Sequence, residues 1–305
     1  MTTTTAEPIL PSLEEAALLA PPRDGAAWRA SSDVRVMSAA GYALLLQVAH
    51  PTVGAGVAEH SNFKAEPWGR LLRTLDFTTS MVYGGPQLAH DTGRRVREMH
   101  KTIKGVKPDG ENYHALEPEA YTWVHATLAA AVVEGNRLFA RPMSREEKEA
   151  FWAEWRRMGR LLGVRERDLP ETWVEFGDYF DTMVADVLTD TESARDVLTF
   201  TNTAPPPLPW LRPGPWKVAR LPLARIFQLA TVGMMPPLLR AKLGHEWSRA
   251  RDIELRTLAR LSRAATPLLP RAAREFGPSY LRWRAEQIAG GSVASPERFP
   301  APRAA

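Results

Sequence analysis

Cysteine is absent from the 305 residues of the chain. Its absence excludes disulfides, iron–sulfur clusters, thiolate-held zinc and thiolate-ligated haem, because each of these needs a cysteine sulfur. A transition metal in this protein is therefore expected to be held by histidine or carboxylate. Hydrophobic residues make up 44 % and charged residues 24 % of the chain. This is ordinary globular usage and excludes a disordered or fibrous protein.

Long apolar segments are also missing. A helix that crosses a bilayer needs about 18 or more apolar residues, and the longest apolar run, Ala39–Ala49, is too short. The first residues lack the basic region and the apolar segment of a secretory signal. The sequence therefore predicts a cytoplasmic protein.

The common catalytic motifs do not occur. The chain has no Gly-x-Ser-x-Gly nucleophile elbow, no phosphate-binding glycine loop, no dinucleotide fingerprint and no His-Glu-x-x-His zinc helix. It also lacks the paired Glu-x-x-His motifs that build di-iron bundles. Of the residues that could carry chemistry, the histidines therefore remain as the main signal.

Positive charge is concentrated in one segment. The net charge of +4 is too dilute to indicate a nucleic-acid partner. From Pro205 to Arg249, however, seven Lys and Arg stand against one acid, Glu246. The basic, tryptophan-bearing stretch 210–242 is typical of a peripheral membrane contact. The alternative is a solvated basic face on a helix that packs against the core.

The pattern along the chain predicts an all-α protein with a single helical domain over 31–290, between flexible tails over 1–30 and 291–305. Apolar positions recur at helical spacing, and no alternating run of useful length indicates a strand. Proline, glycine and cap signals delimit the helices. The expected helices cover about 31–50, 68–83, 87–104, 117–140, 144–163, 172–188, 246–265 and 278–289, with one or two more between 218 and 243.

Candidate functional residues cluster in one stretch of the chain. Six of the seven histidines lie between His50 and His125. In the same stretch, Arg70 and Thr74 share one face of a predicted helix. A cation and a hydroxyl on one face suit a site for an anion, a propionate or activated oxygen. The alternative is an arginine that extends to solvent and a threonine bonded to its own helix.

The histidines permit both functional and structural interpretations. The spacing of His100 from Val96 and Ile103 places it at the edge of an apolar helix face, either as a ligand or as a half-buried residue bonded to a carbonyl. His125 lies within an apolar helix, as a ligand, a ligand's partner or a satisfied core residue. His50, before Pro51, is expected at a helix end.

Five blocks of the chain form a recognisable succession: Leu44–Pro51, Gly56–Ser61, Pro67–Thr74, Val124–Leu128 and Trp155–Gly163. Together they resemble the oxygenase MpaB/rubber-oxygenase catalytic domain family, once a domain of unknown function. The resemblance covers about 27–289, and its most specific parts are the His-Pro block and the Arg-x-x-x-Thr helix.

The resemblance implies a haem b held in a partly globin-like helical core, with a histidine as the proximal iron ligand. The family pattern places that ligand on the helix after the Arg-x-x-x-Thr helix, which corresponds to His100. Arg70 is then expected beside a propionate or on the distal helix, and Thr74 near bound oxygen. His125 and His50 match family blocks and are expected to line the cofactor pocket.

Two departures from the family pattern concern the catalytic groups. The latex-clearing branch carries an iron-coordinating lysine just before the motif threonine, where this chain has Arg73. A guanidinium stays protonated and is a poor metal ligand, so a side-chain-capped iron is not expected. That branch also has an upstream acidic general base, for which Glu59 is the nearest candidate, at a different spacing.

The resemblance therefore implies a haem-dependent oxygenase that acts with O2 on a lipophilic, unsaturated small molecule. One alternative is a haem- or lipophile-binding protein without catalysis. Another is a non-haem metal enzyme that uses His50, Glu59, His60 and His100, because imidazole and carboxylate also bind iron or zinc.

Overall fold

The computed structural model describes residues 10–61, 66–200, 202–207 and 210–290. These residues form helices joined by short connections, with a single two-stranded sheet. The predicted all-α class is confirmed. The α-helices in chain order are α1 Leu13–Leu19, α2 Ala26–Ser32, α3 Ala40–Val48, α4 Pro51–His60, α5 Pro67–Tyr83, α6 Gly85–Lys101, α7 Pro118–Phe139, α8 Arg145–Gly159, α9 Trp173–Thr182, α10 Glu192–Phe200, α11 Pro213–Met234, α12 Pro237–Lys242, α13 Arg249–Ala265, α14 Arg271–Arg274 and α15 Phe276–Ala289.

Short irregular helices extend several of these elements. One turn of π-helix, Met183–Val187, continues α9. The 3₁₀ segments are Val34–Ala39, Arg160–Leu162, Glu166–Asp168 and Thr266–Leu268.

Helix α7 occupies the centre of the core. Its Trp123 is fully buried and donates from Nε1 to the carbonyl of Leu46 on α3 at 2.9 Å. Small residues let a neighbouring backbone approach: a Cβ at Gly135 would lie 3.1 Å from the carbonyl oxygen of Val36. Burying a large apolar side chain contributes about 1.5–3 kcal/mol, so the apolar face of α7 is a main source of stability.

Local signals set many of the helix limits as predicted. Pro67 is in the first turn of α5, where its missing N–H leaves no hydrogen bond unmade. Ser144 and Glu147 form the capping box of α8. The helix predicted from Ser31 differs, because α2 ends at Ser32 and Asp33 caps a 3₁₀ segment before α3.

The prediction of a flexible tail over 1–30 is wrong for its described part. Helices α1 and α2 pack against the domain and bury Ala16, Leu19, Ala27 and Ala30. The Glu154 carboxylate of α8 accepts from the first N–H groups of α2 at 3.0 and 2.8 Å. These contacts join residues that lie far apart in the chain, which no local sequence pattern reports. The proline-rich flanking segments instead favoured the interpretation as a tail. Residues 1–9, and the tail predicted over 291–305, lie outside the described residues.

The polar stretch between α6 and α7 forms the turn of a small hairpin. Strand β1, Lys104–Val106, pairs antiparallel with β2, Asn112–His114. Gly110 adopts a φ of 89°, which favours glycine. Each strand has only three residues, too few for an alternating pattern to be visible in the sequence.

No single helix in the described part of the chain is long and apolar enough to cross a membrane. The segments Val34–Val48 and Pro51–His60 pass that test only as a pair, and they are bent by 101°.

Candidate functional site

Helices α5 and α6 form an antiparallel hairpin that brings the candidate residues together. Gly84 joins the two helices, which pack against each other. Arg70 near the start of α5 is close enough to His100 near the end of α6 for its charge to lower the pKa of His100. The two residues are therefore neighbours in space although 30 positions separate them in the sequence.

The half-buried imidazole of His100 has a defined tautomer. Its Nδ1 lies 2.7 Å from the carbonyl oxygen of Val96, one turn earlier on α6. A carbonyl can only accept, so Nδ1 carries the proton and Nε2 keeps its lone pair. Burial lowers the pKa of His100, and the positive charge of Arg70 lowers it further, against the opposing hydrogen bond to Val96. The ring is thus a neutral base with a free electron pair.

Tyr121 of α7 forms one wall beside His100. The two rings meet edge to face, with centroids 5.9 Å apart. The Tyr121 hydroxyl donates to the carbonyl of Leu162 at 3.0 Å. This hydrogen bond orients the ring, which in turn restricts the rotation of His100.

Arg70 provides a partly buried positive charge on the opposite helix. Its Nη1 donates to Ser61 Oγ at 2.6 Å. Burial, and then the nearby charge of Arg73, lower the pKa of Arg70. An arginine nevertheless stays protonated. Two adjacent guanidinium groups, both incompletely solvated, favour an anionic partner such as a carboxylate.

Thr74 and Arg73 lie further along α5. Thr74 is exposed, and its hydroxyl donates to the carbonyl of Arg70 at 3.0 Å. This is the self-bonded arrangement that the sequence offered as an alternative. Arg73 is half-buried and extends back along the helix, since a Cβ at Gly69 would lie 3.4 Å from its Nη1.

Glu59 and His60, in the last turn of α4, support the hairpin β1–β2. The Tyr113 hydroxyl donates to Glu59 Oε2 at 2.7 Å, and burial together with this carboxylate raises the pKa of Tyr113. His60 Nε2 lies 3.2 Å from the carbonyl oxygen of Lys104. Both side chains are thereby engaged with the hairpin rather than with His100.

His50 is a buried residue at the start of α4. Its side chain is 4 % exposed, and Nε2 lies 3.4 Å from Glu119 Oε1. That contact is outside good hydrogen-bond geometry, so both ring nitrogens remain unbonded within the described residues. Burial lowers the pKa of His50, while Glu119 acts in the opposite direction. The structure places His50 against the start of α7.

His125 joins α7 to α8. Its Nε2 donates to the carbonyl of Trp155 at 2.9 Å, and Trp155 Nε1 donates back to the carbonyl of His125 at 3.1 Å. The two rings stack with centroids 5.6 Å apart. Burial lowers the pKa of His125 to about 4. With Nε2 engaged, His125 has the contacts of a core residue, which was one of its sequence-based interpretations.

The four residues of the non-haem alternative do not converge. His50 contacts Glu119, Glu59 and His60 contact the hairpin, and His100 contacts α7. Across residues 10–61, 66–200, 202–207 and 210–290, no group of three or more His, Cys, Asp or Glu is arranged to hold a metal ion. The site that the structure assembles combines His100 with Arg70.

Two members of this site were missed by sequence reasoning. Ser61 directly follows the Glu59–His60 pair, and Tyr121 lies four positions before His125 on α7. The helical spacing of Tyr121 was a usable signal for a shared helix face. The hydrogen bond of Ser61 to Arg70 had no signal, because it depends on how α4 and α5 pack.

The chain is similar to two uncharacterized mycobacterial proteins, Mb2261 of Mycobacterium bovis and Rv2237 of Mycobacterium tuberculosis. Each is 25 % identical over 244 residues, which is 79 % of this chain and 92 % of the relative. No solved structure gives a significant match. The family model for the ER-bound oxygenase mpaB/B′/rubber oxygenase catalytic domain matches residues 28–264, and the chain therefore belongs to this oxygenase family.

Proposed function

We propose that this protein is a haem b-dependent oxygenase, with His100 as the iron ligand and with O2 and a lipophilic, unsaturated small molecule as substrates. Membership of an oxygenase family supports the reaction class. The observation that best supports His100 as the ligand of the cofactor is its hydrogen bond of 2.7 Å to the carbonyl of Val96. It fixes the proton on Nδ1 and leaves a neutral Nε2, the form in which imidazole binds iron.

The residues present fit the proposed cofactor. Haem b needs one strong axial donor and partners for two carboxylate groups. His100 Nε2 is such a donor, and the chain offers no thiolate that would compete. Arg70 and Arg73 at the facing helix end are suited to pair with a propionate. When bound, haem supplies the redox chemistry of oxygen activation.

The remaining tasks fall to side chains of the chain itself. Tyr121 and the Val96 carbonyl hold the His100 ring in one orientation. Ser61 orients Arg70 through its hydroxyl. Thr74 lies one helical turn after Arg70, where its hydroxyl can donate once a stronger acceptor competes with its own helix carbonyl.

The cofactor is tested by an absorption spectrum of the purified protein, as isolated and after dithionite, with iron analysis of the same sample. We expect a Soret band that shifts on reduction and about one iron per chain. His100→Ala should lose both. His90→Ala is the matched control, because His90 lies on the same helix and its Nδ1 lies 2.9 Å from Asp91 Oδ1.

Two results would contradict the proposal. If the wild type shows no Soret band even after haem reconstitution, the haem assignment is wrong. If His100→Ala retains haem, the ligand assignment is wrong.

Oxygen uptake with terpenoid and unsaturated lipid substrates then tests catalysis. A haem-loaded protein that consumes no oxygen with any of them would be a binding protein rather than an oxygenase.

A further inference from the structure

The first half of α11 exposes an unusual amount of apolar surface. Four large side chains are between 44 % and 70 % exposed within nine residues. They form what we call the α11 strip: Val218, Leu221, Leu223 and Ile226. On the opposite side of the helix, Trp216 and Ala224 are buried and fix α11 to the domain. The strip therefore faces solvent because of how the helix is anchored.

Apolar exposure continues on both sides of the strip. Trp210, three residues before α11, is 74 % exposed. Helix α13 packs beside α11 and exposes Ile253 and Leu261 at 56 % and 63 %. Exposed apolar side chains grouped in this way on two helices that pack together mark a site of interaction. An exposed tryptophan at its margin is typical of a membrane interface.

Positive charge surrounds this surface. Residues 205–290 contain fifteen Lys and Arg against five Asp and Glu, a net charge of +10, whereas the remainder of the chain carries −6. Arg212, directly before α11, and Lys217, near the start of α11, are both exposed. On α13, Arg249 and Arg260 are exposed near Ile253 and Leu261.

Four basic side chains of the stretch 210–242 are engaged elsewhere. Arg220 donates to the carbonyl of Ala204 and Arg225 pairs with Glu254. Arg240 lies over the ring of Trp247, and Lys242 donates to the carbonyl of Leu188. The cations best placed to meet a partner are therefore Arg212 and Lys217.

We propose that the α11 strip docks this protein on an anionic lipid bilayer, with Val218, Leu221, Leu223 and Ile226 inserted at the headgroup level and Arg212 and Lys217 against lipid phosphates. An amphipathic helix with this combination of groups binds through buried apolar area and attraction to acidic lipids. A second copy of the chain fits less well, because pairing two strips would oppose two regions of +10 charge. Docking of this kind is peripheral.

The strip also lies close to the candidate site. Segment 202–207 connects the two regions: Trp216 of α11 donates to the carbonyl of Ala204, and Trp68 of α5 donates to the carbonyl of Pro205. Trp68 is two residues before Arg70. A protein docked in this way would hold the start of α5 near the membrane surface.

The test is co-sedimentation of the full chain with vesicles, which does not depend on haem or turnover. One set of vesicles is pure phosphatidylcholine and the other contains about 30 % phosphatidylserine. We expect binding to the acidic vesicles that weakens with salt. Each neutralised cation should lower the partition coefficient about fivefold, so Arg212→Gln with Lys217→Gln should lower it roughly 25-fold. Leu221→Ser with Ile226→Ser should abolish binding.

Matched controls change equally exposed residues elsewhere. Leu18→Ser with Val174→Ser alters apolar side chains that are 78 % and 54 % exposed on α1 and α9. Arg145→Gln with Arg157→Gln removes two exposed cations from α8. These variants should bind acidic vesicles like the wild type. The circular dichroism of every variant is recorded to show that it is folded.

Several outcomes would overturn the proposal. One is a protein that sediments with neither set of vesicles, or equally with both. Another is that the strip variants bind as well as the controls. A third is a dimer, seen in analytical ultracentrifugation, that the strip variants dissociate, which would make a second copy the occupant. A vesicle-negative protein that captures an acidic protein through Arg212 and Lys217 would make that protein the occupant.

Discussion

Trp68 and Trp216 hold adjacent carbonyls of one connecting segment. Trp68 Nε1 donates to Pro205 O at 3.0 Å, and Trp216 Nε1 donates to Ala204 O at 2.8 Å. These two bonds fix the described part of this proline-rich segment against α5 and α11. The position of α11 relative to the candidate site depends on this pair.

Trp216→Phe should measurably destabilise the protein. The change keeps an aromatic ring in the buried position but removes the hydrogen bond to Ala204 and leaves a small gap. We expect a loss of about 1–2 kcal/mol in the free energy of unfolding, measured by urea titration. Trp210→Phe is the control, because Trp210 is 74 % exposed and should change stability little. Equal effects of the two substitutions would contradict the anchoring role.

His125 should make the protein acid-sensitive. Burial lowers its pKa from 6.5 to about 4, so the unfolded chain takes up a proton at a pH where the folded chain does not. Above about pH 6.5 this group leaves stability unchanged. Below it, the free energy of unfolding should fall by up to about 1.4 kcal/mol per pH unit until about pH 4.

Urea titrations at several pH values between about 7.5 and about 5 measure this slope. In His125→Gln the slope should be flatter, because the substituted side chain does not titrate, although the variant starts from a lower stability. An unchanged slope in His125→Gln would show that other groups cause the acid sensitivity.

The local features of the fold were accessible from the sequence. Pro67 and the Ser144–Glu147 pair mark helix starts through interactions within one turn, so their signals survive in any tertiary context. The same reasoning could have corrected the predicted N-terminal tail. Ser12 and Glu15 form a capping box around a helix that buries Ala16 and Leu19, but the surrounding prolines outweighed this signal.

The contacts that build the site were less accessible. His100 was placed by family resemblance, and its bond to Val96 follows from helical spacing. The bond between Ser61 and Arg70 and the ring contact with Tyr121 depend on how three helices pack. No local pattern encodes such packing. For the same reason the sequence did not distinguish His125, whose partner Trp155 is 30 residues away, from a cofactor ligand.

Thr74→Ala should separate cofactor binding from turnover. The Thr74 hydroxyl donates to its own helix, so its loss should leave folding and the absorption spectrum intact. If the hydroxyl assists the reaction through one strong hydrogen bond, oxygen uptake should fall by roughly 10- to 100-fold. Thr182→Ala is the control, because Thr182 is exposed and makes the same bond, to the Asp178 carbonyl, on α9. Uptake that falls equally in both variants, or in neither, would remove Thr74 from the proposed function.

Helix α15 is attached to α5 by a buried ion pair. Arg284 donates to both carboxylate oxygens of Asp76 at 2.8 and 2.7 Å, and the Tyr280 hydroxyl donates to the same carboxylate at 2.7 Å. The paired side chains are only 6 % and 10 % exposed. Removing one charge of a buried pair leaves the other uncompensated, which typically costs about 3–5 kcal/mol.

Asp76→Asn should therefore lower the free energy of unfolding, measured by urea titration, by about 3–5 kcal/mol. Asp252→Asn is the matched control. It breaks the Arg256–Asp252 pair, whose side chains are 67 % and 40 % exposed, and such surface pairs contribute at most about 1 kcal/mol. Limited proteolysis should then cut Asp76→Asn within α15 before the rest of the domain, since α15 relies on this pair for its attachment. If both variants unfold at the same urea concentration, the Asp76–Arg284 pair does not hold α15 to α5.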